Sequence, residues 1–164
     1  MYREIDGDLL KFAREGEFAF IAHGCNCFCT MGSGIAKSIR EQYPAAYLAD
    51  LRTAKGDIKK LGNYSQGKIT ETAETKSFVV LNCYTQFRYD AAAKPFDYEA
   101  FIMCMRKINY EFSYHKIGLP LIGAGLGGGN WTIINRIIQK ELKDMDVTIV
   151  NYEKSKITKT KNQI

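Results

Sequence analysis

Two glycine-rich turns in this chain have the composition of phosphate-binding loops. The first spans residues 31–36 and the second spans residues 123–129, and each follows an apolar run and precedes a helical pattern. A glycine turn between a strand and a helix leaves backbone N–H groups accessible and adds the positive end of the helix dipole. The sequence therefore predicts two phosphate sites, which together are sufficient to hold a diphosphate.

Two general nucleotide-binding patterns do not account for these turns. The segment 32–38 ends like a P-loop, but Met31 and Ala36 occupy the two positions where that loop requires glycine. The second turn contains the G-x-G-x-x-G pattern of dinucleotide-binding folds. Too little chain follows it, however, to build the rest of such a unit.

His23 and Asp90 are the residues best suited to move a proton. His23 ends the apolar run 18–23, and Asp90 lies in a polar loop. Because an unperturbed imidazole has a pKa near neutrality, His23 is predicted to act as a general base. Asp90 is a second candidate acid or base.

The alternation of His23, Cys25, Cys27 and Cys29 raises the question of a zinc site. Side chains two residues apart on a strand are separated by roughly 6.5–7 Å. The atoms that bind one tetrahedral zinc ion lie roughly 3–4 Å apart. We therefore predict no metal site and interpret the cysteines as small apolar residues.

The elements that position these residues alternate along the chain. Runs typical of strands occur at residues 2–5, 18–23, 77–84, 116–121 and 147–152. The last four are nearly continuous in hydrophobicity, as strands buried on both faces are. Helical patterns occur between them, at residues 34–43, 44–53, 98–112 and 130–142. Strands alternating with helices predict an α/β sandwich around a mostly parallel sheet.

The composition indicates a single globular domain with reduced thiols. The chain has 164 residues, of which 46% are hydrophobic, and its five cysteines do not suit a disulfide framework. No signal peptide or membrane span is predicted, so we expect a cytoplasmic protein. The net charge of +5 includes four lysines near the end of the chain. We expect this tail to be solvated and to attract nucleic acid only weakly.

Four motifs occur in the order typical of one family. They are Gly7-Asp8-Leu9, His23-Gly24-Cys25-Asn26-Cys27, the turn 31–36 and the segment 120–131. Over residues 1–152 the chain closely resembles the macro domain family. The resemblance implies a three-layer α/β/α sandwich with a mixed, mostly parallel sheet of six or seven strands. It also implies an ADP-ribose cleft at the carboxyl ends of the strands and no cofactor. The lysine-rich residues 153–164 that follow are expected to form a basic tail.

The resemblance assigns ligand contacts residue by residue. Asp8 is expected to accept a hydrogen bond from the adenine amino group, with Leu9 beside it and Tyr152 against the ring. Asn26 matches the asparagine that contacts the distal ribose. The remaining matches form the two phosphate loops: Gly32, Ser33, Gly34 and Ile35 in the first, and Gly123, Ala124, Gly125, Leu126, Gly127 and Gly128 in the second.

The reaction is less closely specified than the ligand. The lysine and aspartate of one hydrolytic branch correspond here to Gln86 and Gly127, which cannot act as nucleophile or acid. The motifs around His23 and at residues 82–86 resemble the ADP-ribose 1″-phosphate phosphatases of yeast and phages. That branch implies removal of the terminal phosphate, with His23 and Asp90 handling protons. The alternatives are a non-catalytic reader of ADP-ribose or ADP-ribosylated macromolecules, and a hydrolase of ADP-ribosyl or O-acetyl-ADP-ribose esters.

Overall fold

The fold is built on a mixed sheet whose strands are mostly parallel. A computed structural model describes residues 1–90, 95–125 and 127–152. The strands are β1 (Tyr2–Asp6), β2 (Phe20–Cys25), β3 (Tyr64–Ile69), β4 (Phe78–Tyr84), β5 (Lys116–Leu119) and β6 (Asp146–Asn151). These residues form a six-stranded sheet in the order β1-β6-β5-β2-β4-β3, in which only the β3–β4 pair is antiparallel.

Helices cover both faces of the sheet, as expected for parallel strands that are apolar on both sides. The helices are α1 (Leu9–Arg14), α2 (Gly34–Gln42), α3 (Pro44–Leu51), α4 (Tyr98–Glu111) and α5 (Trp131–Glu141). Helices α1, α2 and α3 pack on one face, and α4 and α5 pack on the other. The predicted three-layer α/β/α sandwich is confirmed.

The apolar face of α4 is the centre of one core. Phe101, Met105 and Ile108 are fully buried, and they pack with Ile134 and Ile138 of α5. Burial of a large apolar side chain stabilises the fold by about 1.5–3 kcal/mol. This packing fixes α4 and α5 against the sheet and so positions the loops at the carboxyl ends of the strands.

The strand β3 lies at one edge of the sheet. It pairs antiparallel with β4 and packs against α3. A Cβ on Gly67 would lie 2.5 Å from Cα of Ala46, so the absence of a side chain permits the close approach of α3. Within the described residues, no helix is long and apolar enough to cross a membrane. The predicted tail at residues 153–164 lies outside the described residues, as does Leu126.

Candidate functional site

A cleft opens at the carboxyl ends of the parallel strands, where open α/β sheets bind ligands. It consists of two adjoining chambers, which we name by one residue of each. The Asp8 chamber has a volume of about 750 Å³ and the Asn26 chamber one of about 410 Å³. Both chambers are lined by Gly34, Ile35, Pro120, Leu121 and Gly125. The two predicted phosphate loops therefore meet at the boundary between the chambers.

The first glycine loop leads directly into the amino terminus of α2. Ser33 precedes the helix in an extended conformation and makes no side-chain capping hydrogen bond. Gly34 begins the helix with φ +56, a conformation that favours glycine. The residues predicted to form the first phosphate loop, Gly32, Ser33, Gly34 and Ile35, all line the cleft. The amino end of α2 thus presents its positive dipole to the cleft.

The second glycine loop is held by its own backbone. Gly123 has φ +75, and its carbonyl accepts a hydrogen bond of 2.7 Å from the N–H of Gly129. A Cβ on Gly125 would have no atom of the described residues within 4 Å, so this position borders open space on the cleft side. Ala124 lines the Asp8 chamber and Gly127 the Asn26 chamber.

Gly128 was expected to contact the ligand, but it lies outside the lining of the cleft. It lines neither chamber, and its N–H donates to the carbonyl of Gly125 at 3.0 Å with φ +71. Its role in this geometry is to close the turn. Leu126, also predicted to contact the ligand, lies outside the described residues.

The residues predicted to bind adenine lie together. Asp8, Leu9 and Tyr152 all line the Asp8 chamber, and the Tyr152 side chain is largely exposed. Oδ1 of Asp8 also caps α1, because it accepts hydrogen bonds from the N–H groups of Leu10 and Lys11 at 3.0 and 3.2 Å. The same carboxylate can cap α1 and accept a hydrogen bond from adenine, since it has two oxygens and several acceptor sites.

Asn26 lines the chamber that bears its name, and its side chain is held by its own loop. Its Nδ2 donates to Oγ1 of Thr30 at 2.7 Å, and its Oδ1 accepts from the N–H of Phe28 at 2.8 Å. The lining also includes Gln86 and Tyr89. The amide is therefore fixed in orientation at the end of the cleft distant from Asp8.

His23 lies in the interior, and this position corrects the expectation that it acts as the base. It is 1% exposed, lines neither chamber, and its Nε2 lies 2.7 Å from Oδ1 of Asn82. Burial lowers the pKa of His23 to about 4, partly opposed by the Asn82 hydrogen bond. The imidazole is therefore neutral at physiological pH and out of direct reach of a ligand in the cleft.

Asp90 lies beside the cleft and not in its described lining. Its carboxylate forms an ion pair with Arg88 at 2.9 Å. Its neighbour Tyr89 does line the Asn26 chamber. The loop continues into residues 91–94, which lie outside the described residues.

Asp50 is a residue of the cleft that the motifs did not indicate. It is 1% exposed, lines the Asn26 chamber, and its Oδ1 accepts a hydrogen bond of 2.7 Å from the hydroxyl of Tyr84. Burial raises the pKa of the Asp50 carboxyl. Its spacing from Ala46 and Ala49 places it on the buried face of α3, and this helical spacing was the available signal.

Metal-binding groups are not assembled in the described part of the chain. No set of three or more His, Cys, Asp and Glu residues there has the geometry of a metal site. Cys25, Cys27 and Cys29 are buried free thiols. Burial raises the pKa of Cys25 and Cys27, so both thiols are protonated near neutral pH.

Comparison with known proteins agrees with this geometry. The Macro domain family matches residues 22–138. A 17.5 kDa protein from the tk-vs intergenic region of Enterobacteria phage T4 is 41% identical over 156 residues, covering 91% of this chain and 95% of that protein. The chain therefore belongs to the macro domain family.

Partial relatives and solved structures extend the comparison. An ADP-ribose 1″-phosphate phosphatase of Aspergillus oryzae is 49% identical over 45 residues, which are 27% of this chain and 21% of that protein. The macrodomain of Thermus aquaticus DarG aligns with a TM-score of 0.68 at 20% identity, covering 93% and 97% of the two chains. A Trypanosoma brucei macrodomain in complex with ADP-ribose aligns with a TM-score of 0.63 at 13% identity, covering 94% and 65%.

Proposed function

We propose that this protein binds ADP-ribose in the cleft. The observation that carries the proposal is the meeting of the two glycine loops at the boundary of the two chambers, where Gly34 and Gly125 line both. A diphosphate bound there would direct one end of the ligand toward Asp8 and the other toward Asn26. The solved macrodomain of Trypanosoma brucei in complex with ADP-ribose supports the choice of this ligand.

The chemistry of each chamber supports the same orientation. The Asp8 carboxylate accepts hydrogen bonds only, so it favours the exocyclic amine of adenine over a carbonyl. Tyr152 offers an exposed aromatic face in that chamber. The amino terminus of α2 favours the negative charge of the diphosphate. The Asn26 chamber then receives the distal ribose.

Calorimetric titration with ADP-ribose, ADP and AMP tests this proposal. We expect ADP-ribose to bind more tightly than AMP, because AMP lacks the phosphate that lies between the two glycine loops. NMR spectra recorded in parallel are expected to show shifts of the Gly34 and Gly125 amides. The absence of both heat and amide shifts at saturating ADP-ribose would reject the proposal.

We also propose that the protein hydrolyses the terminal phosphate of ADP-ribose 1″-phosphate. Support comes from the phosphatase of Aspergillus oryzae, whose match covers 27% of this chain. In this reaction the oxygen of a water bonds to phosphorus, and the bond from phosphorus to the oxygen on ribose C1″ breaks. The products are inorganic phosphate and ADP-ribose. The protein has to hold the phosphate, orient the water and manage one proton.

Asp90 is our candidate for the residue that transfers this proton as a general acid or base. It follows Tyr89, which lines the chamber where the terminal phosphate would lie. His23 is too deeply buried for direct contact, so its role is confined to the interior hydrogen bonds.

Phosphate release from ADP-ribose 1″-phosphate decides the second proposal. We expect release by the wild type, a loss of about a hundredfold or more in Asp90→Asn, and a much smaller loss in Glu74→Gln, an exposed carboxyl remote from the cleft lining. No release by the wild type would reject phosphatase activity and leave the alternatives of a reader or an ester hydrolase. Because ADP-ribose binding is measured separately, the two proposals fail independently.

A further inference from the structure

Buried polar side chains form a continuous hydrogen-bonded chain that begins at His23 and ends at the cleft. His23 contacts Asn82 at 2.7 Å, Asn82 contacts Oγ of Ser65 at 3.0 Å, and Ser65 contacts the hydroxyl of Tyr84 at 2.9 Å. The Tyr84 hydroxyl then contacts Oδ1 of Asp50 at 2.7 Å. The chain crosses from β2 through β4 and β3 to α3.

The direction of donation in this chain is determined by its two ends. Oδ1 of Asn82 accepts from His23, and Nδ2 of Asn82 donates both to Ser65 and to the carbonyl of Ala46 at 2.9 Å. Ser65 therefore has its own proton available for Tyr84, and Tyr84 has its proton available for Asp50. Each contact of the chain therefore has its donor on the His23 side and its acceptor on the Asp50 side. Oδ1 is thereby occupied and the orientation of the carboxyl plane is fixed.

Burial raises the pKa of the Asp50 carboxyl, and Lys60 and the Cys29 thiol are close enough to the carboxyl to lower its pKa in opposition to that effect. Oδ2 is buried and has no hydrogen-bond partner among the residues that the structure describes. The nearby ammonium of Lys60 donates to the carbonyl of Cys27 at 3.1 Å and lies 4.5 Å from the centre of the Tyr84 ring. A buried polar atom without a partner is unfavourable, so its retention calls for a ligand or water at that place.

The location of Asp50 shows where such a partner would come from. Asp50 lines the Asn26 chamber, and it is the only carboxyl among the described residues of that lining. Its 1% exposure limits contact to a small group at the bottom of the chamber. A carboxylate accepts hydrogen bonds and repels phosphate, so the group that fits is a hydroxyl.

We propose that Asp50 is a specificity-determining residue whose Oδ2 accepts a hydrogen bond from a hydroxyl group of the distal sugar. The inference rests on the proposed binding of ADP-ribose and adds a means of discrimination to it. ADP fills the Asp8 chamber and the phosphate loops but offers no sugar hydroxyl beyond the diphosphate. Asp50 therefore favours ADP-ribose over ADP without contributing to the affinity for ADP.

Calorimetry of the Asp50→Asn variant with both nucleotides tests this role. Asparagine keeps an oxygen for the Tyr84 hydroxyl but replaces Oδ2 with an NH₂ group, which donates. We expect the affinity for ADP-ribose to fall about tenfold and the affinity for ADP to remain within about twofold. Asp146→Asn is the matched control, because Asp146 lies at the opposite, amino end of a strand. It is expected to leave both affinities unchanged.

The outcomes separate the inference from the function on which it rests. An unchanged preference for ADP-ribose over ADP in Asp50→Asn, or an equal loss for both nucleotides, would overturn the inference and leave ADP-ribose binding intact. Failure of the wild type to bind ADP-ribose would overturn both. If Asp50→Asn does not fold, Tyr84→Phe replaces it, since this change releases Oδ1 and is expected to reduce the same preference. An unchanged preference in Tyr84→Phe would then overturn the inference.

Discussion

Nε2 of His23 lies 2.7 Å from Oδ1 of Asn82, and the contact is enclosed between β2 and β4 on the side covered by α3. Because Oδ1 of Asn82 can only accept a hydrogen bond, Nε2 of His23 carries the proton and Nδ1 is unprotonated. The two strands are in register at this pair, so the contact also ties the centre of the sheet together. His23, whose unperturbed pKa would suit a catalytic base, thus serves as a neutral structural donor.

The low pKa of His23 predicts a specific dependence of stability on pH. The native imidazole has a pKa of about 4, whereas the unfolded one has a pKa near 6.5. Between these values the unfolded chain binds a proton that the native protein does not, so stability falls as pH decreases from 6.5 to about 4. The contribution is about 1.4 kcal/mol per pH unit and reaches about 3 kcal/mol.

Urea unfolding at pH 7.5 and at pH 5 measures this effect. His23→Gln keeps an NH₂ donor for Asn82 but does not titrate, so it is expected to lose less stability over that interval than the wild type. Carboxyl groups titrate in both proteins and cancel in the difference. The same loss in both proteins would contradict a neutral, buried His23.

The second glycine loop provides a prediction that separates binding from stability. A Cβ on Gly125 would enter open space in the cleft, and its φ is not in the left-handed region. We therefore expect Gly125→Val to reduce ADP-ribose affinity by at least about tenfold while the melting temperature remains close to that of the wild type. A variant that binds ADP-ribose normally would show that the diphosphate does not lie at Gly125.

Gly123 in the same loop is the matched control for Gly125, because packing against a neighbouring ring requires glycine at this position. A Cβ there would lie 2.5 Å from the ring of Phe96, and φ is +75. Gly123→Ala is expected to lower stability by about 1–3 kcal/mol. Thermal unfolding of the two variants side by side distinguishes a glycine that leaves room for a ligand from one that leaves room for a neighbouring ring.

The position of the two glycine turns at the cleft was predictable because their structure is local. A strand followed by glycines and a helix is readable from spacing alone, and Gly34 and Gly125 lie where that spacing puts them. The strand β3 was harder to predict, since Gly67 weakens its strand pattern and the strand is stabilised by contact with α3.

Side-chain placement on the central strands was less predictable. His23 and Ile21 point to the same face of β2 by alternation, and the sequence contains no information on how far α3 extends over that face. Asp50 was overlooked because a single carboxyl in a short helix is usually solvated. Its burial depends on Tyr84, which is distant in sequence.

The packing of β3 on α3 predicts a stability effect at Gly67. A Cβ there would meet Cα and N of Ala46 at 2.5 and 3.0 Å, and backbone atoms cannot move aside as a flexible side chain can. Gly67→Ala is expected to destabilise the protein by about 1–3 kcal/mol in urea unfolding. Gly32→Ala serves as the control, because among the described residues its Cβ would approach only the carbonyl of Thr30, at 3.9 Å. Equal stability of the two variants would contradict the close approach of β3 and α3.

The carboxylate of Asp8 is expected both to cap α1 and to select adenine, and two substitutions separate these effects. Asp8→Asn keeps an oxygen for the Leu10 and Lys11 N–H groups, so the cap of α1 is retained, but it can present an NH₂ group to the base. We expect this variant to lose the preference for ADP-ribose over its hypoxanthine analogue, whose carbonyl replaces the adenine amine. Asp8→Ala is expected to lose the same preference and, in addition, about 1 kcal/mol of stability through loss of the cap. Competition binding with the two nucleotides and urea unfolding measure the two effects, and an adenine preference that survives in Asp8→Asn would place the base elsewhere in the cleft.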